Sequence, residues 1–300
     1  MELVADEPAD RLDRWLSERI ARLTRAQIQT IIRDGGVTID GRPAKPAAKL
    51  KGRGERIRIV IPPPPPSELI PDALPLDVLY EEPSFAVINK PAGMIVHPGA
   101  GVERGTLANA LLARYPELAQ VKGQRRHGIV HRLDKMTSGA MVVARTEEAL
   151  NALAKQFAGR TVSKQYVALL ESAPKPDAGT IALPIARDPE HRTRMAVVRN
   201  GRSAVTHYRV VETFTGGYAL VEARIETGRT HQIRVHFAHV GCPVVGDTTY
   251  GFRKPRIKLG RTFLHAARLA FDHPRDGRRL EFAAPLPDEL ERVLRRLRAP

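Results

Sequence analysis

Five consecutive prolines, Pro62 to Pro66, divide the chain. Proline has a fixed φ and no backbone N–H, so such a run can continue neither a helix nor a strand ladder. It holds an extended polyproline II path instead. With the SELIPDALP that follows, it reads as a semi-rigid spacer over 63–75, between a small unit at 1–62 and a larger one at 76–300. A chain of 300 residues suits this division, since one domain typically takes about 100 to 200.

In the small unit, DRLDRWLSERIARL places Leu12, Trp15, Leu16, Ile20 and Leu23 at helical spacing. Thr24 reads as the N-cap of a second helix, RAQIQTIIRD, which ends at Gly35-Gly36. VTIDGRPAK predicts a short strand pair turned at Asp40-Gly41, and ERIRIVI a further strand with Ile57, Ile59 and Ile61 on one face. Arg22, Arg25 and Arg33 lie on or beside the second helix, and Arg42, Lys45, Lys49, Lys51 and Arg53 follow it. A charge run of this kind is ordinarily a solvated face. The whole chain, however, carries a formal charge of +15, with 48 Lys and Arg against 33 Asp and Glu. That imbalance asks for a polyanionic partner, nucleic acid before an anionic membrane surface.

The larger unit mixes short apolar runs, at Val78–Tyr80, Phe85–Ile88, AMVVART, KQYVALLES and ALVEARIET, with helices at Thr106–Tyr115 and from Thr146 to Gly159. Without regular βα alternation, the fold class is α+β rather than doubly wound. No stretch approaches the roughly 18 to 20 apolar residues of a membrane span. The opening MELVADEPADR lacks the layout of a signal peptide, so the cytoplasm is the expected location. Cys242, the single cysteine, permits no internal disulfide or Cys metal cluster and reads as a small packing residue.

Four segments can carry chemistry. In HGIVHRLDKMTSG, Asp134 stands between Arg132 and Lys135, with His127 and His131 close behind. Surrounding positive charge favours the ionised carboxylate, a ready base or nucleophile. The same residues also describe a surface ion pair worth about 0 to 1 kcal/mol. NKPAGMIVHPGAGVERGT, Asn89 to Thr106, is neither a Walker loop nor a G-x-G-x-x-G turn, so it calls for no nucleotide cofactor and reads as a binding loop. Tyr166 in SKQYVALL is either core or a stacking face for a nucleobase. In ETGRTHQIRVHFAHVGCPVVGD, Thr230 would cap a helix running to Gly241, with Ile233, Phe237 and Val240 inward. Arg234 in its first turns offers a fork suited to a distant carboxylate. His231, His236 and His239 lack the spacing of a helical zinc pair, and no metal is expected.

The helix, Gly-Gly turn, strand and basic loop of the small unit resemble the αL-type RNA-binding module first named for a small-subunit ribosomal protein. Asp40 and Glu55 stand where Asn and Asp are common in it. HRLDKMTSG, KQYVAL and ETGRTHQIRVH, in this order after such a module, resemble the RluA-type pseudouridine synthases. The wording NKPAGMIVHPGAG is similar to the RluD-like branch, which acts on large-subunit ribosomal RNA. The resemblance covers nearly the whole chain.

It implies a catalytic domain with a mixed or antiparallel β-sheet, no cofactor, a monomer, and isomerisation of specific uridines to pseudouridine in 23S ribosomal RNA, free or in an assembling subunit. It further implies Asp134 as the catalytic aspartate, Tyr166 as the tyrosine stacked on the target base, and Arg234 as the partner of Asp134. The Tyr166 hydroxyl is a candidate acceptor for the carbon 5 proton. Arg132 would enter the RNA stack where the base has left it, and Leu133 and Thr137 to Gly139 would shape the loop presenting Asp134. His131, Arg22, Arg25, Arg33 and Lys45 are the further RNA contacts expected. The Arg-rich tail, RRLEF and ERVLRRLR, either adds phosphate contacts or is a plain surface helix. The rivals are a non-catalytic RNA-binding or ribosome-assembly protein, a synthase acting on another RNA such as tRNA, and a hydrolase using Ser138 with His131 and an Asp. The last lacks a G-x-S-x-G elbow.

Overall fold

The structure, a computed structural model, describes residues 1–20, 23, 25–61, 69–99, 101–121, 127–191 and 193–299. They divide into two compact units, Met1–Glu68 and Leu69–Pro300. The proline run, Arg22 and the expected cap Thr24 lie outside the described residues.

The first unit runs β1 (Glu2–Ala5), β2 (Pro8–Ala9), α1 (Leu12–Arg19), α2 (Arg25–Arg33), β3 (Val37–Ile39), β4 (Arg42–Pro43), β5 (Leu50–Lys51) and β6 (Glu55–Ile59). Its main sheet has the order β1-β6-β3-β4, all antiparallel, with β2 and β5 paired separately. Leu12, Trp15, Leu16 and Ile20 pack with Ile28, Ile31 and Ile32 of α2 over Val37, Ile57 and Ile59, the stripe that the helical spacing predicts. Helix α1 stops earlier than that stripe, because Ile20 leaves helical geometry at ψ 74° while still bonding the Leu16 carbonyl. Asp40 and Gly41 both take positive φ, 48° and 81°, which matches the type I′ turn favoured by Asp-Gly.

A buried carboxylate changes the reading of one expected RNA contact. Asp13, at the start of α1, accepts hydrogen bonds from Arg11 at 3.0 and 3.1 Å, from Arg25 at 3.1 Å and from the Gln29 amide. The Arg11 bond, outweighing burial, holds its carboxyl well below the usual range. Arg25 is thus a structural partner of Asp13. Arg33 and Lys45 remain exposed.

The second unit runs β7 (Asp77–Glu81), β8 (Phe85–Lys90), α3 (Leu107–Arg114), β9 (Ser138–Ala144), α4 (Glu147–Gly159), β10 (Ser163–Leu170), β11 (Ala178–Ile181), β12 (Ile185–Arg187) and β13 (Met195–Val197). It continues with β14 (Thr206–Thr213), β15 (Ala219–Ile225), α5 (Gln232–His239), β16 (Leu264–Asp272), β17 (Arg279–Ala283) and α6 (Asp288–Arg298). Nine strands form one sheet in the order β11-β14-β15-β10-β16-β9-β8-β7, with β17 added to β16. Its pairs are antiparallel except β9 with β16, so the sheet is mixed.

Strand period sorts the core into two layers. Ala86, Ile88, Met141 and Val143 join Leu107 and Leu111 of α3, Ile233 and Phe237 of α5, and Leu290 and Leu294 of α6. Their neighbours Phe85, Val87, Ala140 and Val142 join Ala149 and Leu153 of α4. The sheet is therefore covered on both faces.

Helix α4 has the expected bounds: Thr146 caps it, its hydroxyl accepting from the Ala149 N–H, and it ends at Gly159, followed by left-handed Arg160 at φ 59°. Two local expectations are corrected. Helix α5 begins after His231, itself left-handed at φ 57°, and not at Thr230. Val240 is exposed, and Val235 is buried in its place. The tail is a packed amphipathic helix, α6, with Leu290, Val293 and Leu294 buried and the Arg298 fork closed on Glu212 at 2.6 to 3.1 Å.

Where β9 meets β16 the backbones touch. Gly139 has φ 121°, and a Cβ placed there would lie 2.3 Å from the Ala266 carbonyl oxygen. Only glycine fits both the dihedral and the space. Gly139→Ala is expected to destabilise the second unit by about 3 kcal/mol or more, read as a lower urea midpoint; a shift under about 0.5 kcal/mol would refute the close approach.

Candidate active site

The segment leading into β9 carries Asp134. Leu133 is buried in the main core, so it anchors the chain between exposed Arg132 and a half-buried Asp134. The Asp134 carbonyl accepts from the Thr137 N–H at 3.1 Å, closing a turn. The next carbonyl, of Lys135, accepts from the Gly93 N–H at 2.8 Å and from Lys90 Nζ at 3.3 Å. Lys90 is fully buried and also donates to the Pro91 and Met94 carbonyls at 2.7 and 2.9 Å. Burial, aided by the charge of Arg261 and opposed by that of Asp134, brings its pKa down to about 7. The start of the Gly- and Pro-rich loop, read from sequence as a binding loop, thus braces the Asp134 turn. Further along it, His97 reaches the cleft wall.

Arg234, on α5, is the centre of the site. It is 8% exposed and serves two carboxylates. Its Nη1 donates to Asp134 Oδ2 at 3.1 Å. Its Nε and Nη2 donate to the two oxygens of Asp247 at 2.7 and 2.8 Å. Burial alone would lower the guanidinium pKa, but Asp247 and then Asp134 outweigh it and raise it. Burial likewise works against the Asp247 carboxylate and is outweighed by Arg234 and by the N–H groups of Thr249 and Tyr250, at 2.9 and 3.1 Å, so its pKa falls. Sequence reasoning passed over Asp247. The available signal was GDTTYG, since an Asp two and three residues before turn N–H groups forms an Asx turn and then has a free oxygen for a cation.

Asp134 and Arg234 line a cleft of about 610 Å³. Leu133, Tyr166, Ile225, Ile233 and Leu264 supply apolar surface beside Asp134 and Arg234. Tyr166 lies where β10 shifts register against β16, between Gln165 and Val167, a bulge of the kind that re-aims a side chain. Burial, and secondly the Asp134 charge, raises its hydroxyl pKa, so the phenol stays protonated. Arg132, Arg160, Arg202 and Arg229 also line the cleft.

Two expectations change here. His131 is held as a neutral ring. Its Nε2 accepts the Val142 N–H at 3.1 Å, it stacks on Phe157 at 4.6 Å, and burial followed by the charge of Lys164 brings its pKa to about 3. It shapes the cleft wall but offers no cation to phosphate. Ser138 is buried and pairs with His265 at 2.8 Å while accepting from Arg261 at 2.8 Å, so the proposed Ser138–His131 hydrolase pair does not exist. The three histidines near α5 also separate. His231 faces Asp134 at 4.0 Å, His236 meets the Thr206 hydroxyl and the Leu183 carbonyl, and His239 is exposed.

Comparison with known proteins bears on the whole chain. A family model described as RNA pseudouridylate synthase matches residues 84–239, and an S4 domain model matches residues 10–57. An uncharacterized RNA pseudouridine synthase of Chloroflexus aurantiacus is 53% identical over 97% of this chain and 91% of its own length. A ribosomal large subunit pseudouridine synthase D of Xanthomonas campestris is 44% identical over 99% of this chain and 92% of its own. Among solved structures, a human RNA pseudouridylate synthase domain containing protein 4 superposes with a TM-score of 0.59 at 28% identity, covering 74% of this chain and 93% of its own.

The unequal burial of the two carboxylates predicts unequal costs. Asp247→Asn is expected to cost about 3 kcal/mol in urea unfolding, as for one partner removed from a buried pair, and Asp134→Asn under about 1 kcal/mol. Equal costs would contradict the assignment of Asp247 as the buried anchor. His131 predicts a pH effect. Its folded pKa, about 3, lies below the unfolded value near 6.5. The unfolded state therefore binds more protons between them, and stability is full above about pH 6.5 and falls as pH drops toward 3, by up to about 1.4 kcal/mol per unit. His131→Gln should flatten that slope between pH 6.5 and 5; an unchanged slope would remove His131 as its source.

Proposed function

The chain belongs to the RNA pseudouridylate synthase family, and from that premise we propose that it isomerises uridines of large-subunit ribosomal RNA, with Asp134 as the reacting carboxylate. One observation carries the assignment: Asp134 is the cleft carboxylate that the buried guanidinium of Arg234 holds, through one oxygen at 3.1 Å, while Asp247 fixes Arg234.

Pseudouridine formation breaks the glycosidic bond from the ribose to nitrogen 1 of uracil, turns the base and rejoins it through carbon 5. Atoms and electrons balance without a second substrate, because the carbon 5 proton is the one group released and nitrogen 1 gains one. Asp134 can act either by adding to the anomeric carbon or by removing the 2′ proton to give a glycal. Both routes need an ionised, oriented carboxylate in a site that excludes water, and a fixed cation beside it is worth more there than in bulk solvent. The apolar wall of Leu133, Tyr166, Ile225 and Ile233 suits a flat, uncharged base. Tyr166 supports the base by its ring. Its hydroxyl, kept protonated by burial, is a poor acceptor for the carbon 5 proton, and Asp134 is the better one.

The base must leave its stack to enter the cleft, at a cost of a few kcal/mol. Arg132, exposed beside Asp134, is placed to fill the gap with its planar guanidinium. Arg160, Arg202 and Arg229 are suited to the flanking phosphates, and the S4 domain to a further stretch of RNA through Arg33, Lys45 and, beyond the described residues, Arg22. We assign the enzyme to the cytoplasm as a monomer acting on free RNA or an assembling subunit. The large-subunit enzymes among its relatives support the choice of RNA.

The test is tritium release from carbon-5-labelled uridine in large-subunit ribosomal RNA, as naked transcript and as undermodified subunits. The wild-type chain should release tritium and Asp134→Asn should release none at retained RNA affinity. Silence from the wild type on every RNA, with tight salt-sensitive binding, would make it a binding protein; release from a tRNA transcript alone would move the substrate.

A further inference from the structure

The geometry points to His231 as a second positioning residue for Asp134, acting on the carboxylate oxygen that Arg234 leaves unheld and itself oriented by Tyr250. The inference rests on the reading of Asp134 as the reacting group and adds a residue to it.

Arg234 holds Asp134 by one hydrogen bond, Nη1 to Oδ2. One contact leaves the carboxylate free to turn about its Cβ–Cγ bond, which would carry the reacting oxygen out of line. On the other side, His231 Nε2 lies 4.0 Å from Oδ1. That is about an ångström beyond a hydrogen bond, and contacts of this kind are often long in a substrate-free site and tighten when substrate closes it.

The ring is aimed by its surroundings. His231 sits at the N-cap of α5 in the left-handed region, φ 57°, and its carbonyl accepts the Val235 N–H at 2.9 Å. Its Nδ1 lies 2.8 Å from the Tyr250 hydroxyl. That hydroxyl accepts the Met195 N–H at 2.9 Å and keeps one proton to give, which, donated to Nδ1, sets the tautomer of the ring. A neutral imidazole that accepts at Nδ1 carries its proton on Nε2, facing Asp134. Tyr250 is placed in turn by the Asp247 carboxylate, which accepts its N–H at 3.1 Å. Asp247 thus fixes both partners of Asp134, Arg234 directly and His231 through Tyr250.

The charge state fits the role. Burial lowers the His231 pKa; Arg234 and Arg132 act in the same direction, and Asp134 and Asp247 oppose them. The ring is therefore neutral at neutral pH. Asp134 then meets a cation at one oxygen and an uncharged donor at the other. Such a pair orients the carboxylate without the extra stabilisation of a second cation, which would weaken it as nucleophile or base.

The strand that supplies the Met195 N–H belongs to the β12–β13 hairpin, which packs on α5 through Ile185, Met195 and Val197 against Val235 and Tyr250. The histidine's tautomer is thus tied to the docking of that hairpin.

Three variants of the full chain test this. His231→Gln keeps an N–H near the Nε2 position, His231→Leu keeps volume without it, and Tyr250→Phe removes the hydroxyl. In single-turnover tritium release at saturating RNA, His231→Leu should be about 10- to 100-fold slower at unchanged RNA affinity, His231→Gln close to wild type, and Tyr250→Phe between them. Equal losses in Gln and Leu variants would make His231 a packing residue, and a wild-type rate in the Leu variant would end the proposal. Nitrogen-15 imidazole spectra give a readout independent of turnover. They should place the neutral His231 proton on Nε2, and its pKa should fall in Asp134→Asn, where the opposing carboxylate is gone. A proton on Nδ1, or an unchanged titration, overturns the pairing even in an active enzyme. Conversely, a wild type silent on all RNA with the expected spectra would sink the functional reading and leave the pairing intact.

Discussion

A buried guanidinium divided between two carboxylates sets the terms of this site. Removing a cation from water costs several kcal/mol unless it is well paired, and Arg234 at 8% exposure has little solvent to turn to. Asp247 takes the two-pronged contact through Nε and Nη2, the geometry in which an Arg fork is strongest. What remains for Asp134 is one N–H. Had Asp134 received the bidentate contact, both of its oxygens would be occupied and its basicity spent on Arg234. The split gives one carboxylate to structure and leaves the other, 19% exposed, with an oxygen for chemistry.

The sheet exists in the form it does partly to bring those groups together. Asp134 and Arg234 are 100 residues apart, and their meeting depends on the short parallel contact between β9 and β16, which sits beside the Asp134 turn. Ser138, His265 and Arg261 fill the seam there with a closed set of hydrogen bonds, and Arg261 carries it on to Glu289 of α6 at 2.8 Å. On the other side Lys90 at the end of β8 holds the Lys135 carbonyl. The turn that presents Asp134 is therefore clamped from two neighbouring strands, a rigid mounting of the kind that preorganised catalysis requires.

The parts legible in the sequence were those that local chemistry dictates. Thr146 as a cap, Asp40-Gly41 as a turn, and the apolar runs that become the buried strands β8 and β9 each follow from a few neighbouring residues. Asp134, Tyr166 and Arg234, which the structure brings to one cleft, could be singled out because a family pattern writes them into short motifs. What escaped depended on distant partners. His131 looks like a cation beside Arg132, but its charge is decided by Phe157 and Val142, which no local spacing places against it. Arg25 looks like a phosphate contact until Asp13 is found buried beside it. Val240 takes the inward position by helical period, yet α5 is covered on both sides, by the sheet at Phe237 and by the hairpin at Val235. A helix packed on both faces has no single stripe to read.

The distribution of charge explains how a chain of formal charge +15 can bind an uncharged base in its cleft. Inside, ionised groups are matched: Arg234 with Asp134 and Asp247, Arg261 with Glu289. His131 is neutral, and Lys90, its pKa brought down to about 7 by burial, turns its Nζ to three carbonyls. The excess positive charge lies outward, on side chains such as Arg132, Arg160 and Arg202. Phosphates are thereby attracted to the rim, where counterion release makes their binding strong and salt-dependent. Buried Lys164 is turned to the Glu226 carbonyl at 3.4 Å, and beside the apolar wall the group that gains by entering is the flat, neutral base. Under the proposed function, electrostatics bring the strand to the cleft, and the apolar wall with Tyr166 selects what part of it goes in.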